Sequence, residues 1–147
     1  MSDSKDKLEK EIEELMEISD QKFIQGEVDL SFQLLEEAWN KIPGDKYSYG
    51  DSYSIVWRIL INAITTHNFQ KMNYWIKHFF FVAPERLDSG GERAFWAGKV
   101  AYENGNMQDA YEYFKIANVQ SWGRCFVDED KKYKIFFVEE EKNINKN

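Results

Sequence analysis

The chain has 147 residues, two prolines, one cysteine, 16% aromatic residues and a formal net charge of −7. That length suits one domain with a core of its own, and so much ring surface excludes a disordered chain. A single cysteine excludes an internal disulfide framework and most zinc sites, the acidic balance disfavours nucleic acid, and no run of about 18 apolar residues offers a membrane span.

Helical spacing dominates the chain from its start. Leu8, Ile12, Leu15, Met16, Ile18 and Phe23 recur mostly at three- and four-residue steps, which predicts a first helix ended by Gly26. Val28, Phe32, Leu35, Ala38, Trp39 and Ile42 share one face of a second helix, which Pro43 and Gly44 end. A polar, Tyr-rich connection from Asp45 to Gly50 leads to a third helix that begins near Asp51 or Ser52, both good N-caps. Its sequence, SYSIVWRILINAITTH, is apolar nearly all round and reads as a central, buried helix. Asn68 marks a tight turn, and a fourth helix runs from Gln70 to Val82 and ends at Pro84.

Residues 85–91 form a loop or a loose helix start, the fifth helix covers Glu92 to Asn104 with Gly105 ending it, and the sixth runs from Met107 to Val119. The segment Ser121 to Asp128 breaks the pattern before a last short helix, Glu129 to Glu141, whose apolar stripe is Tyr133, Phe136 and Phe137. Residues 79–83 and 134–138 are rich in β-formers but continue the helical spacing. One domain over residues 1–147 is expected, with residues 1–7 and 143–147 frayed.

The same pattern occurs three times. Gly26 with Leu35, Ala38 and Pro43 aligns with His67-Asn68-Phe69 with Ile76, Phe79 and Pro84, and with Gly105 with Ala110, Phe114 and Ala117. In the third copy Gly98 supplies a small residue where paired helices cross, and Tyr102 an aromatic on the helix face. The first copy has Ser19 at the crossing and Ser31 at the first Ala site, whereas the second carries the larger Leu60, Met72 and Phe79. On these residues the stretch 8–120 resembles the tetratricopeptide repeat family. Pro84 follows Pro43 by 41 residues, against a family period of about 34. The extra residues belong to a longer third helix or to the Tyr47–Gly50 connection. The fold class expected is all-α: three antiparallel helix-turn-helix pairs and a short C-terminal capping helix.

No catalytic or metal-binding constellation is legible. His67 and His78 stand in no HExxH or CxxC context, Cys125 has no histidine near it in sequence, and the paired carboxylates lie on polar helix faces. Gly90-Gly91 lacks a phosphate-loop pattern, and no G-x-S-x-G elbow occurs. The expectation is a protein that is no enzyme and takes no metal or cofactor.

Tetratricopeptide proteins line a concave groove with the first helix of each pair, and the resemblance therefore implies a protein partner. By that correspondence the groove residues are Met16, Asp20 and Phe23 from the first helix, Trp57, Ile61 and Ile64 from the third, and Phe95, Lys99 and Tyr102 from the fifth. A clamp for acidic tails needs several cations, and Lys99 is the one found, so a basic or mixed partner fits better. Residues 1–20 hold three lysines against eight carboxylates, an acidic surface that a basic partner would meet. The chain also looks similar to small bacterial tetratricopeptide proteins encoded beside secreted toxins, which act as immunity proteins by binding a toxin domain. A scaffold or adaptor holding a peptide, and an oligomer built through exposed aromatic end repeats, are the competing classes. The N-terminal residues are charged where a signal peptide would be apolar, and the expected location is cytoplasmic, with neither membrane nor nucleic acid as partner.

Overall fold

The computed structural model describes the backbone of residues 2–83 and 85–146, and the side chains of residues 4–83 and 87–146. The described residues form seven α-helices and no strand: α1 (Ser2–Ile24), α2 (Val28–Lys41), α3 (Ser52–Thr65), α4 (Phe69–Val82), α5 (Glu92–Glu103), α6 (Met107–Ser121) and α7 (Lys131–Asn145). Three 3-10 segments, Lys46–Ser48, Glu85–Gly90 and Arg124–Phe126, sit in the connections. The chain is all-α, with helices packed as adjacent pairs α1–α2, α3–α4 and α5–α6, and α7 following the third pair. Pro84, expected to end the fourth helix, lies outside the described residues, as do Met1 and Asn147. Helix extends from Ser2 and through Asn145, into the segments expected to fray.

The repeat is written into the backbone. Gly26, His67 and Gly105 all take the left-handed conformation, with φ of 85°, 54° and 81°. Each turn closes with the same two hydrogen bonds: Glu27 N to Lys22 O and Gly26 N to Phe23 O, Asn68 N to Ala63 O and His67 N to Ile64 O, Asn106 N to Ala101 O and Gly105 N to Tyr102 O. This is the Schellman closure, which satisfies the last carbonyls of a helix through a residue at positive φ. In the second turn His67 holds that position, one residue before the Asn68 expected to mark it. Register within each hairpin then follows. Ser31, Met72 and Ala110 lie five residues after the turn and are fully buried, as are Ala38, Phe79 and Ala117 further on.

The chain divides into two compact units, Met1–Val82 and Ala83–Asn147. In the first, Arg58 of α3 pairs with Asp20 of α1 at 3.2 Å, while Trp39 of α2 meets Trp75 of α4 edge-on at 5.4 Å and Lys71 of α4 pairs with Glu36 of α2 at 2.6 Å. First helices therefore neighbour first helices, and second neighbour second. The core holds Ile12, Phe32, Leu35, Ile55, Ile59, Leu60 and Phe79. Ser19 and Ser31 let α1 and α2 approach, and their hydroxyls stay bonded: Ser19 Oγ donates to Met16 O (2.7 Å), Ser31 Oγ to Ser19 O (2.8 Å), and Asn62 Nδ2 to Ser31 Oγ (3.2 Å). A buried hydroxyl without a partner would cost about 1–3 kcal/mol, so this chain is what makes serine tolerable at the crossing.

The α2–α3 connection carries the extra length of the first repeat, since α3 has 14 residues, as α2 and α4 do. Ile42, the residue before Pro43, is extended, as a following proline requires. Lys46 then turns its ammonium onto the end of α2, 2.9 Å from Trp39 O and 2.7 Å from Ile42 O, where the helix dipole favours a cation. Asp51 is the N-cap residue of α3, its carbonyl accepting from Ile55 N at 3.0 Å, but neither expected cap side chain bonds the helix N-terminus. The Ser52 hydroxyl donates instead to Lys46 O.

In the second unit α5 and α6 cross at Gly98. A Cβ there would lie 2.6 Å from the Phe114 ring, so glycine alone lets that ring sit against the α5 backbone. Gly91, at φ 74°, meets Ala117 O just as closely. Tyr133 and Phe137 of α7 are buried against this pair, with Phe126 and Phe95 completing the cluster.

Candidate protein-binding surface

Side chains of α1 and α3 that point away from α2 and α4 form the candidate surface of the first unit. Trp57 is 37% exposed. Ile61 and Ile64, one and two turns on, are half-buried, as is Phe23 of α1. Asp20 and Arg58 stand beside them as a salt bridge, Arg58 Nε lying 3.2 and 3.3 Å from the two carboxylate oxygens, and Arg58 Nη1 also approaches Met16 Sδ at 3.7 Å. Met16 itself is buried at 6% exposure and belongs to the core. The third helix is thus less enclosed than its uniformly apolar sequence suggests, with its Trp57 side open.

The second unit treats the corresponding face differently, because α7 lies on it. Tyr102 is edge-on to both Tyr133 and Phe136 at 5.3 Å, and Phe95 meets Tyr133 at 6.2 Å. Phe95 is 5% exposed and Lys99 7%. The Lys99 ammonium lies 3.5 Å from the centre of the Trp96 ring and 2.7 Å from Glu129, so its charge is used inside the fold. Burial holds its pKa below the ordinary lysine value, opposed by Glu129 and Glu92. Glu103 plays the mirrored part, accepting from Tyr133 Oη at 2.8 Å and from Lys132 at 2.6 Å. Of the three α5 residues drawn from the repeat pattern, Tyr102 alone keeps partial exposure, and none is open as Trp57 is.

A second aromatic surface was not anticipated from the repeat. His78 of α4 lies within 6 Å of the rings of Trp39, Tyr47, Tyr74 and Trp75, and Tyr47 Oη is 2.9 Å from His78 Nδ1. Burial lowers the His78 pKa, favouring the neutral imidazole. Tyr74 and Phe81 are 57% and 67% exposed. Their positions with His78 at i, i+4 and i+7 form a second stripe of α4 that borders the buried Trp75, with Met72 and Phe79 further round the helix. Cys125 is half-buried, its backbone N–H bonded to Ser121 Oγ at 2.9 Å, and burial raises its thiol pKa. Among the described residues no group of histidine, cysteine or carboxylate side chains could hold a metal ion, and no helix is long and apolar enough to cross a membrane.

Comparison of the chain with protein families, with curated proteins and with solved structures finds no match.

Proposed function

We propose that the chain is a non-enzymatic protein-binding module of tetratricopeptide type that works by stoichiometric binding. The observation that carries this reading is the open side of α3: Trp57, 37% exposed, with half-buried Ile61 and Ile64 on the same face and the Asp20–Arg58 pair beside them. Aromatic anchors ringed by polar groups are what protein interfaces draw their energy from. The repeated hairpin with its left-handed turn supports the family assignment. Covering of α5 by α7 concentrates the binding surface on the first unit, on Asp20, Phe23, Trp57, Ile61 and Ile64.

The partner we infer is a basic protein domain, and the role that of a bacterial immunity protein blocking a toxin. Charge supports this over a general adaptor: Glu13, Glu14 and Glu17 are exposed on α1, and an acidic field speeds the arrival of a basic partner. The test begins with a pull-down from the native host and proceeds with the purified partner. Trp57→Ala is expected to weaken binding more than tenfold with the urea midpoint unchanged. Glu13, Glu14 and Glu17 changed together to Gln are expected to slow association and flatten its dependence on salt, since salt at 0.1 M screens charges more than about 10 Å apart and steering acts over such distances. Normal binding by Trp57→Ala would move the interface elsewhere, and turnover of a substrate by the pure chain would end the reading.

A further inference from the structure

The seventh helix has two faces of opposite use. Tyr133, Phe136 and Phe137 turn inward onto α5 and α6. On the other side Lys131, Lys134, Ile135, Val138 and Lys142 fall within about 100° of arc at 3.6 residues per turn. Ile135 is 61% exposed and Val138 37%, and the three lysines are exposed as well. Two carboxylates flank the strip, Glu139 on one side, 4.0 Å from Lys142 in a largely solvated pair, and Glu141 on the other. On a chain of net charge −7, this is an apolar strip edged with positive charge.

The complementary strip lies on α1. Away from the buried Ile12, Met16 and Ser19, that helix exposes Glu13, Glu14, Glu17, Ile18 and Ile24, with Ile18 40% and Ile24 84% exposed. Between residues 13 and 24 α1 carries one basic side chain, Lys22, which pairs with Glu27 at 3.2 Å. Among the described residues no ion pair engages Glu13, Glu14 or Glu17, nor Lys131 or Lys134. Each face exposes apolar side chains beside charge of one dominant sign, and the two signs are opposite.

We propose that these faces serve one another between copies: the outer face of α7 docks on the acidic outer face of α1 in a second chain. Apolar contact between Ile135, Val138 and Ile18, Ile24 supplies the attraction, and the lysine–glutamate pairing selects α1 over other surfaces. The contact is heterologous, so a pair of copies keeps one free face of each kind and association passes beyond the dimer unless a ring closes. Its extent is limited by α7, whose 15 residues span about 22 Å. One helix pair covers less than the roughly 1,600 Å² of a standard interface, the size range of transient contacts, so association is expected at high protein concentration. The proposal is independent of the Trp57 surface and is read on the pure chain without any other partner.

Sedimentation velocity from about 10 μM to 1 mM decides it. The wild type is expected to gain mass with concentration. Lys131→Glu with Lys134→Glu, and separately Glu13→Lys with Glu17→Lys, are each expected to weaken association at least tenfold, with unchanged far-UV circular dichroism. The second pair brings the chain nearer neutrality, so general charge repulsion predicts more association for it, whereas docking predicts less. An equimolar mixture of the two variants restores opposite signs across the contact and is expected to recover wild-type association. A wild type that stays monomeric to 1 mM would leave the α7 face to a different partner and overturn the proposal. So would variants that associate as the wild type does, or a mixture that stays monomeric.

Discussion

Replacing Gly98 with alanine tests the α5–α6 crossing with a single methyl group. Its Cβ would stand 2.6 Å from Cδ1 and Cε1 of Phe114 and 3.2 Å from Cγ, where carbon atoms pack comfortably near about 3.5–4 Å. The ring would have to retreat by roughly 1 Å, and it has nowhere to go. Phe114 is fully buried, with Phe95, Phe126 and Tyr133 centred 5.2, 5.7 and 5.7 Å away. Overpacking of this kind costs about 1–3 kcal/mol. Alanine recovers about 1 kcal/mol of helix propensity relative to glycine in mid-helix. The expected net loss is therefore up to about 2 kcal/mol. Urea unfolding followed by circular dichroism and tryptophan fluorescence measures it. The mechanism is isolated by a double-mutant cycle with Phe114→Leu, which removes the ring edge: the double variant should be more stable than the sum of the singles by at least about 1 kcal/mol. A stabilised Gly98→Ala, or an additive cycle, would refute the steric account.

The turns give an opposed pair: His67→Gly should stabilise by about 1 kcal/mol, because glycine takes positive φ freely, and Gly105→Val should destabilise by about 1–2 kcal/mol although no atom lies within 4 Å of its Cβ. Thermal melts of both variants check the signs. For His78 the folded imidazole has its pKa lowered by burial, so below about pH 6.5 the unfolded chain binds more protons than the folded one. Its contribution is complete above that pH and declines as pH falls toward the folded pKa; His78→Gln should flatten the slope of urea stability between pH 7.5 and 5. Cys125 should alkylate at least tenfold more slowly in the native protein than in urea at pH 7.5, because burial both shields the thiol and disfavours its thiolate. Equal rates, followed by mass spectrometry, would contradict the packing around Ser121.

Helix positions and the register of the three hairpins were legible in the sequence because both are local. A stripe at 3.6-residue spacing names the buried face, and a residue tolerant of positive φ names the turn. Ser31, Met72 and Ala110 are very different side chains, yet each falls five residues beyond its turn and each is buried. Asn68 misled by one residue, since a histidine supplied the left-handed backbone where Gly26 and Gly105 set the expectation. Exposure on the candidate surface was decided by tertiary structure. Trp57, Phe95 and Lys99 read alike as outward positions of first helices, and what separates them is what packs on top. Tyr133 of α7 and Glu129 just before it, 38 and 30 residues beyond Phe95 and Lys99, fold back, enclose the Phe95 ring and neutralise the Lys99 charge. Trp57 meets no such cover and stays 37% exposed. Periodicity tells which side of a helix is apolar; how many neighbours share that side depends on contacts between distant segments, which no short window of sequence contains.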